Sequence, residues 1–231
     1  MIAAIICAAG SSSRMAGEKK EFLKMNGSKE ALTVLGAVAA AFCKVSSIKV
    51  VVIVIQKNTE EAARAALPPE CLSLSKPDFF FVEGGLTRQA SVFNALSFLA
   101  KFDPDYVLIH DGARPWIEPS LIKDIIEAAE KYGAVIPAAA LCDTPKECTA
   151  PIGEAAPVFI KKHLKRANTV AAQTPQCFKF TEILLAHEKA AKQPCEFTDD
   201  AEVWGMFCGD VAVIPGSPEN RKITFPGDMV N

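Results

Sequence analysis

The chain has no excess of positive charge. Its 25 lysines and arginines are set against 27 aspartates and glutamates, for a formal net charge of −2 over 231 residues. That balance gives no electrostatic reason to expect nucleic acid as a partner, so any local basic cluster must serve something smaller. No apolar run is long enough to cross a bilayer, and no membrane partner is expected. Histidine is scarce, at three residues, and no two of the eight cysteines are spaced C-x-x-C. A zinc site is therefore not expected. No positive charge precedes the apolar run 2–8, and polar Ser11, Ser12, Ser13 and Arg14 follow it closely. The N-terminus thus reads as a first strand and not as a signal peptide. The cysteines are then expected as reduced thiols in a cytoplasm, with Cys7, Cys43 and Cys208 buried in their apolar surroundings. Both common phosphate fingerprints are missing too. Gly10 to Gly17 is too long for G-x-x-x-x-G-K-[ST], and Ser12 occupies the second glycine position of G-x-G-x-x-G. Plain ATPase and hydride-transfer readings are weakened accordingly.

What the chain does have is apolar mass, with half its residues hydrophobic. That suffices for one sizeable α/β domain over 1–231. Strands are expected at 2–8, 49–55, 79–82, 106–110, 134–139 and 211–214. Helices are expected at 31–44, 59–66, 88–101, 120–132, 181–192 and 199–207. The unbroken apolar run Val50-Val51-Val52-Ile53-Val54-Ile55 suggests burial on both faces, as in a mostly parallel sheet covered by helices. The helix after Pro119 shows the pattern: Leu121, Ile122, Ile125, Ile126 and Ala129 share one stripe, and Gly133 ends it. Residues 141–178 break the alternation and are too long for an ordinary loop, so they are read as a β-arm projecting from the sheet.

Four places carry candidate chemistry. In the first, the strand 2–8 breaks into Ala9-Gly10-Ser11-Ser12-Ser13-Arg14, with Lys19 and Lys20 behind. Small side chains let backbone N–H groups approach phosphate oxygens, and the cations neutralise charge. A generic turn with a solvated basic tail explains these residues equally well. The second is Gly84-Gly85-Leu86-Thr87-Arg88-Gln89-Ala90-Ser91, where two glycines precede a helix that Thr87 can cap. Taken alone, it reads as a capped turn with Arg88 in solvent. The third is His110-Asp111-Gly112-Ala113-Arg114-Pro115, at the end of an apolar strand where α/β sheets collect ligands. Asp111 suits Mg²⁺ and Arg114 an anion, with a simple Asp111–Arg114 pair as the alternative and His110 as packing. The fourth is scattered: Thr144, Arg166, Thr198 and Lys222. Thr198 reads as an N-cap, Arg166 as part of a solvated basic face, and Lys222 as an edge-strand charge.

In order along the chain, these pieces resemble one family. The residues are Ala8-Ala9-Gly10, Arg14-Met15, Lys20-Glu21-Phe22-Leu23, Gly84-Gly85, Arg88, Ser91-Val92, His110-Asp111-Gly112-Ala113-Arg114-Pro115, Asp143-Thr144, Gln173-Thr174-Pro175-Gln176, Thr198-Asp199-Asp200-Ala201 and Asn220-Arg221-Lys222-Ile223-Thr224. Together they are similar to the 2-C-methyl-D-erythritol 4-phosphate cytidylyltransferase family, from residue 2 to about 228. The resemblance implies a Rossmann-like domain that joins CTP to methylerythritol phosphate with release of pyrophosphate, and a homodimer formed through the β-arm at about 141–166. It implies that Arg14 and Lys20 stabilise the transition state at the α-phosphate. Ala8, Ala9, Gly10, Ser11, Ser12, Ser13, Gly85, Ser91 and Gly112 would line the CTP site. Asp111 would hold Mg²⁺, and with Arg114, Thr144, Arg166, Thr198 and Lys222 would bind the alcohol phosphate. Arg166 and Lys222 count with the catalytic set as well. Four positions depart from the family pattern: Lys19 replaces a usual proline, Glu21 a usual glutamine, and Leu86 and Lys165 stand where acids are common. With the chain ending soon after Asp228, no fused cyclodiphosphate synthase is expected. The rival readings are a ribitol 5-phosphate cytidylyltransferase, whose loops would look much the same, and a non-catalytic nucleotide-binding module.

Overall fold

The computed structural model describes residues 1–10, 19–25, 31–73, 76–153 and 157–229. Its centre is a sheet in which strands β1 (Ile2–Cys7), β2 (Ile48–Ile55), β3 (Asp78–Glu83), β4 (Tyr106–Asp111), β5 (Ala134–Ala140) and β10 (Ala212–Pro215) fall where the apolar runs lie. The strand order is β10-β5-β9-β4-β1-β2-β3, with β8 added beside β5. All pairings are parallel except those of β8 (Val170–Ala172) and β9 (Gln176–Lys179).

Period-two alternation sends successive side chains to opposite faces, and both faces are buried. Ala4 and Ile6 of β1 join Val51 and Ile53 of β2 in one core, and Ala3 and Ile5 join Val50, Val52 and Val54 in the other. The first core is closed by helices α1 (Val34–Cys43) and α4 (Pro119–Tyr132). The second is closed by α3 (Arg88–Leu99), α5 (Phe180–Ala190) and α6 (Asp200–Phe207), while the short α2 (Glu60–Ala65) packs at the side of the first. The five apolar residues expected on the stripe of α4 are all buried, Pro119 stands in its first turn, and Gly133 ends it with φ +83°. That conformation is costly for any residue with a Cβ.

Three expectations are corrected. The segment 141–178 is only partly an arm: β6 (Lys146–Cys148) and β7 (Ile160–His163) form a separate two-stranded sheet, but β8 and β9 return to the main one. β9 even lies between β4 and β5, in the middle of the sheet. Its four residues, Gln-Cys-Phe-Lys, are too few to show a period. Cys208 is exposed, because helix α6 ends there and turns its last residues to the surface. Finally, α6 is capped by Asp199, whose carboxylate accepts from the Glu202 N–H, and not by Thr198. Thr198 lies one residue outside, where Glu202 accepts from both its N–H and its hydroxyl.

Candidate active site

Between β1 and β4 the order of the sheet reverses, so the loops leaving these strands part to opposite sides and leave a crevice at their carboxyl ends. Register places Cys7 beside Asp111, and the Gly112 N–H donates back to the Cys7 carbonyl at 2.9 Å. A Cβ at position 112 would stand 3.0 Å from that carbonyl oxygen, so glycine lets the two strand ends close up. On the other side, β3 runs into Gly84-Gly85 and the start of α3. Thr87 caps that helix by accepting from the Ala90 N–H. The Gly85 N–H donates to the Ser91 hydroxyl at 3.0 Å, and a Cβ on Gly85 would stand 2.5 Å from the Ala90 Cβ. Here too the close approach requires glycine.

The crevice holds a cavity of about 360 Å³ whose lining includes Ala9, Gly10, Lys20, Gly85, Ser91, Arg88, Asp111 and Lys222. The fold thus gathers residues from five separate segments. Lys20, not Lys19, is the lysine of the pair that lines it, and its ammonium donates to the Ile223 carbonyl at 2.9 Å. Ala8 is buried beneath the lining, and Gly112 lies at the strand end below it. Ser11, Ser12, Ser13 and Arg14 lie outside the described residues.

Asp111 is the electrostatic centre. Its Oδ2 lies 2.8 Å from the Lys222 ammonium and 3.6 Å from Arg114 Nε, while Oδ1 lies 3.6 Å from Arg88 Nε. Burial alone pushes the carboxyl up, but the charges of Lys222, Arg88 and Arg114 reverse this and hold it far below the usual carboxylate range. The Asp111–Arg114 pair expected from their spacing exists, but Lys222 is nearer. Lys222 is therefore not an edge-strand charge: it sits beyond β10 in an irregular segment bonded to the β4 loop. There the Ile223 N–H donates to the Ala113 carbonyl and Arg114 donates to the Asn220 carbonyl at 2.7 Å.

His110 is a packing residue, fully buried, with its ring 5.4 Å from that of Phe42. Its Nδ1 shares a 3.0 Å hydrogen bond with the Thr174 hydroxyl, which also accepts from the Asp111 N–H. Burial lowers the imidazole to about 4, so it stays neutral. The Gln173-Thr174-Pro175-Gln176 segment is scaffold as well. Gln173 bonds the Ser217 backbone, and Gln176 bonds Asp199 and the Ala201 N–H.

Arg88 is not the solvated residue that its turn suggests. In the structure its Nη2 donates to Asp200 Oδ2 at 2.7 Å, and Asp200 is 1% exposed. His187, fully buried on α5, stands 3.2 Å from the other oxygen of that carboxylate. Burial raises the Asp200 carboxyl, and Arg88 and His187 outweigh it and bring it below its ordinary value. Arg88 and Asp200 belong to runs that the sequence already marked, whereas nothing in the local pattern of α5 singles out His187. Cys7 and Glu21 also line the cavity unforeseen. The Cys7 thiol is pushed up to about 12 by burial and remains protonated near neutrality.

Thr144, Arg166 and Thr198 are not among the cavity's lining residues. Arg166 is exposed at the foot of the arm, donating to the Cys142 carbonyl at 2.8 Å.

One carboxylate suits Mg²⁺, which keeps its waters and is held by one or two carboxylates plus substrate phosphates. Lys222 and Arg114 crowd Oδ2, which leaves Oδ1 the better placed oxygen. Among the described residues no group of three or more histidine, cysteine or carboxylate side chains could hold a metal by itself.

Comparison with known proteins agrees with this geometry. The chain is 36% identical, over its full length, to 2-C-methyl-D-erythritol 4-phosphate cytidylyltransferase of Bacillus cereus, covering 95% of that protein. It is also 36% identical to the bifunctional enzyme IspD/IspF of Bartonella henselae, where 99% of the chain matches 55% of the relative. It thus spans about half the length of the bifunctional relatives that it matches. Among solved structures, 4-diphosphocytidyl-2C-methyl-D-erythritol synthase from Anaerococcus prevotii superposes with a TM-score of 0.82 at 30% identity, covering 99% of this chain and 92% of that one. The cytidylyltransferase of Thermus thermophilus gives 0.74 at 31%, covering 100% and 96%. The family model for IspD, 2-C-methyl-D-erythritol 4-phosphate cytidylyltransferase, matches residues 2–231, and the chain belongs to that family.

Proposed function

We propose that this chain transfers the cytidylyl group of CTP to 2-C-methyl-D-erythritol 4-phosphate, giving 4-diphosphocytidyl-2-C-methyl-D-erythritol and pyrophosphate in the non-mevalonate route to isoprenoid precursors. The observation that carries the reading is one cavity holding an ionised Asp111, the cations Lys20, Arg88 and Lys222, and the Gly85–Ser91 helix start.

The chemistry needs charge control more than proton transfer. A phosphate monoester has a second pKa of about 6 and is already largely dianionic near neutrality. Its oxygen attacks the α-phosphorus of CTP, the bond to the bridging oxygen breaks, and that electron pair leaves with pyrophosphate. No general base is required, and a Cys7 thiol raised to about 12 supplies no competing nucleophile. The protein's task is to bring two anions together in line and to neutralise the charge that builds up. Lys20, which lines the cavity, would serve that purpose together with Arg14, which lies outside the described residues; a guanidinium keeps its proton and can fork onto two oxygens. Asp111 Oδ1 would hold a divalent cation, which when bound neutralises the triphosphate. Lys222 and Arg114 keep the opposite oxygen occupied and orient the carboxylate.

Thr144 and Arg166 would serve the alcohol phosphate in a second copy of the chain. Support comes from the arm's composition. Ile152 is 89% exposed and Phe159 65%, with Ile160 of β7 also outward. Large apolar side chains left this exposed are the kind an interaction surface covers. Thr198, hydrogen-bonded to Glu202 ahead of α6, would complete the acceptor side.

The test is pyrophosphate release with CTP and Mg²⁺, comparing methylerythritol phosphate, ribitol 5-phosphate and no acceptor. Release with methylerythritol phosphate alone is expected. Release with ribitol phosphate would move the chain to the rival substrate, and CTP binding without release would make it a nucleotide-binding module.

A further inference from the structure

The cavity's charges are tied through Arg88 to a buried His187–Asp200 pair that has no part in the chemistry just described. The connection begins at His187 on α5, passes through Asp200 in the first turn of α6, and ends at Arg88 in the first turn of α3. Three helices that share only an apolar core thus meet in a polar chain: His187 Nε2 lies 3.2 Å from Asp200 Oδ1, Asp200 Oδ2 accepts from Arg88 at 2.7 Å, and Arg88 Nε faces Asp111 Oδ1 at 3.6 Å. His187 and Asp200 are 0% and 1% exposed. Burying such groups costs free energy unless they are paired, and a hydrophobic contact at the α5–α6 seam would have been cheaper. Among the described residues neither ring nitrogen of His187 nor Asp200 Oδ1 makes a well-formed hydrogen bond, so the 3.2 Å approach of Nε2 to Oδ1 is the polar contact this ring makes across the α5–α6 seam.

We propose that His187 is a positioning residue, acting through Asp200 to fix the Arg88 guanidinium against Asp111. Arg88 has a long, many-jointed side chain, and a single contact from Asp200 leaves that carboxylate free to swing. With the His187 ring facing one carboxylate oxygen at 3.2 Å and Arg88 bonded to the other at 2.7 Å, Asp200 is approached from both sides. Arg88 is then held where it faces Asp111 Oδ1, the oxygen nearer the proposed metal. The cavity's field is thereby preorganised before any anion enters. For its effect on turnover the proposal rests on the functional reading above.

The experiment compares His187→Leu, which keeps apolar volume, with His187→Gln, whose amide can donate toward Asp200. Pyrophosphate release is measured per folded molecule, and the Arg88 Nε–H signal is followed in ¹⁵N–¹H spectra, identified by its loss in Arg88→Lys. His187→Leu should lower kcat about tenfold, with KM for either substrate within about twofold, as expected for an interaction that matters in the transition state. It should also broaden the Arg88 signal, and His187→Gln should restore most of both. An unchanged Arg88 signal in His187→Leu overturns the proposal whether or not the enzyme turns over, as does an equal kcat loss in both variants. Were the wild type to release no pyrophosphate with any acceptor, the functional reading would fall while the Arg88 signal still decided the role of His187.

Discussion

The crevice at the ends of β1 and β4 and the arm of β6 and β7 treat charge in opposite ways. In the crevice every described cation near Asp111 is held: Lys222 at 2.8 Å, Arg114 through the Asn220 carbonyl, and Arg88 through Asp200. At the arm, Lys161 and Glu147 pair at 2.6 Å with both side chains in solvent, and Arg166 leans on a carbonyl at the surface. Exposed pairs of that kind contribute little to stability, because water and salt screen them. In the crevice it is the carboxylates, Asp111 and Asp200, that are buried, so their contacts are screened less and can act as a fixed field. The difference teaches a division of labour. The crevice is built within one chain, whereas the arm presents residues whose proposed task is completed by another copy.

The sharpest way to break that contrast is Lys20→Ala, expected to lower kcat by ~10²–10³, as loss of one strong charge-stabilising donor does elsewhere. Lys19→Ala should stay near wild type, since it does not line the cavity. A crippled Lys19→Ala beside an intact Lys20→Ala would reverse the assignment.

Next is the floor of the crevice. The unfolded chain takes up the His110 proton near 6.5, while the buried ring in the native state holds out to about 4. A depressed histidine of this kind contributes stability that is fully present above 6.5 and is lost as pH falls toward 4. The loss amounts to about 3 kcal/mol at the acid end. Denaturant titrations across that window should slope accordingly, and His110→Gln should flatten the slope. An unchanged slope would place the titration elsewhere.

For the arm, Arg166→Ala should raise KM for the alcohol phosphate by roughly ten- to a hundredfold, the worth of one charge-assisted hydrogen bond, and leave CTP affinity alone. Mixing it with Lys20→Ala should restore some activity, because each mixed dimer would hold one complete site. An effect confined to CTP, or a mixture as inactive as its parts, would remove Arg166 from a neighbour's site. The smallest effect is expected far from both regions. Thr33 caps α1 by accepting from the Gly36 N–H at 2.9 Å, and Thr33→Ala should cost about 1 kcal/mol of stability with kcat unchanged.

The legible parts of the fold were those where the local pattern and the tertiary surroundings demanded the same thing. β1, β2 and β4 are apolar because both faces of the sheet are covered, and α4 carries its stripe and its stop signal in its own sequence. The start of α3 was legible because its cap, Thr87, bonds within one turn, whereas α1 begins at Val34 behind the cap Thr33, inside the 31–44 span expected for it. The misreadings came where the demand was made from a distance. Gln176–Lys179 becomes a central strand only because β4 and β5 leave a gap for it. Lys222 and Arg88 looked like surface charges, as their partners lie 111 and 112 positions away in the chain.

The sequence by itself determined the layered α/β class, the order of the site segments and, through their resemblance, the family. These are written in short-range periodicity, in glycines and caps, and in motifs contiguous along the chain. Only the tertiary structure decided which lysine of the pair faces the cavity, that Asp111 stands among three cations, and that a buried histidine and aspartate stand behind one of them. Ionic contacts act over a few ångströms in space and are indifferent to separation along the chain, so no local window of residues could contain them.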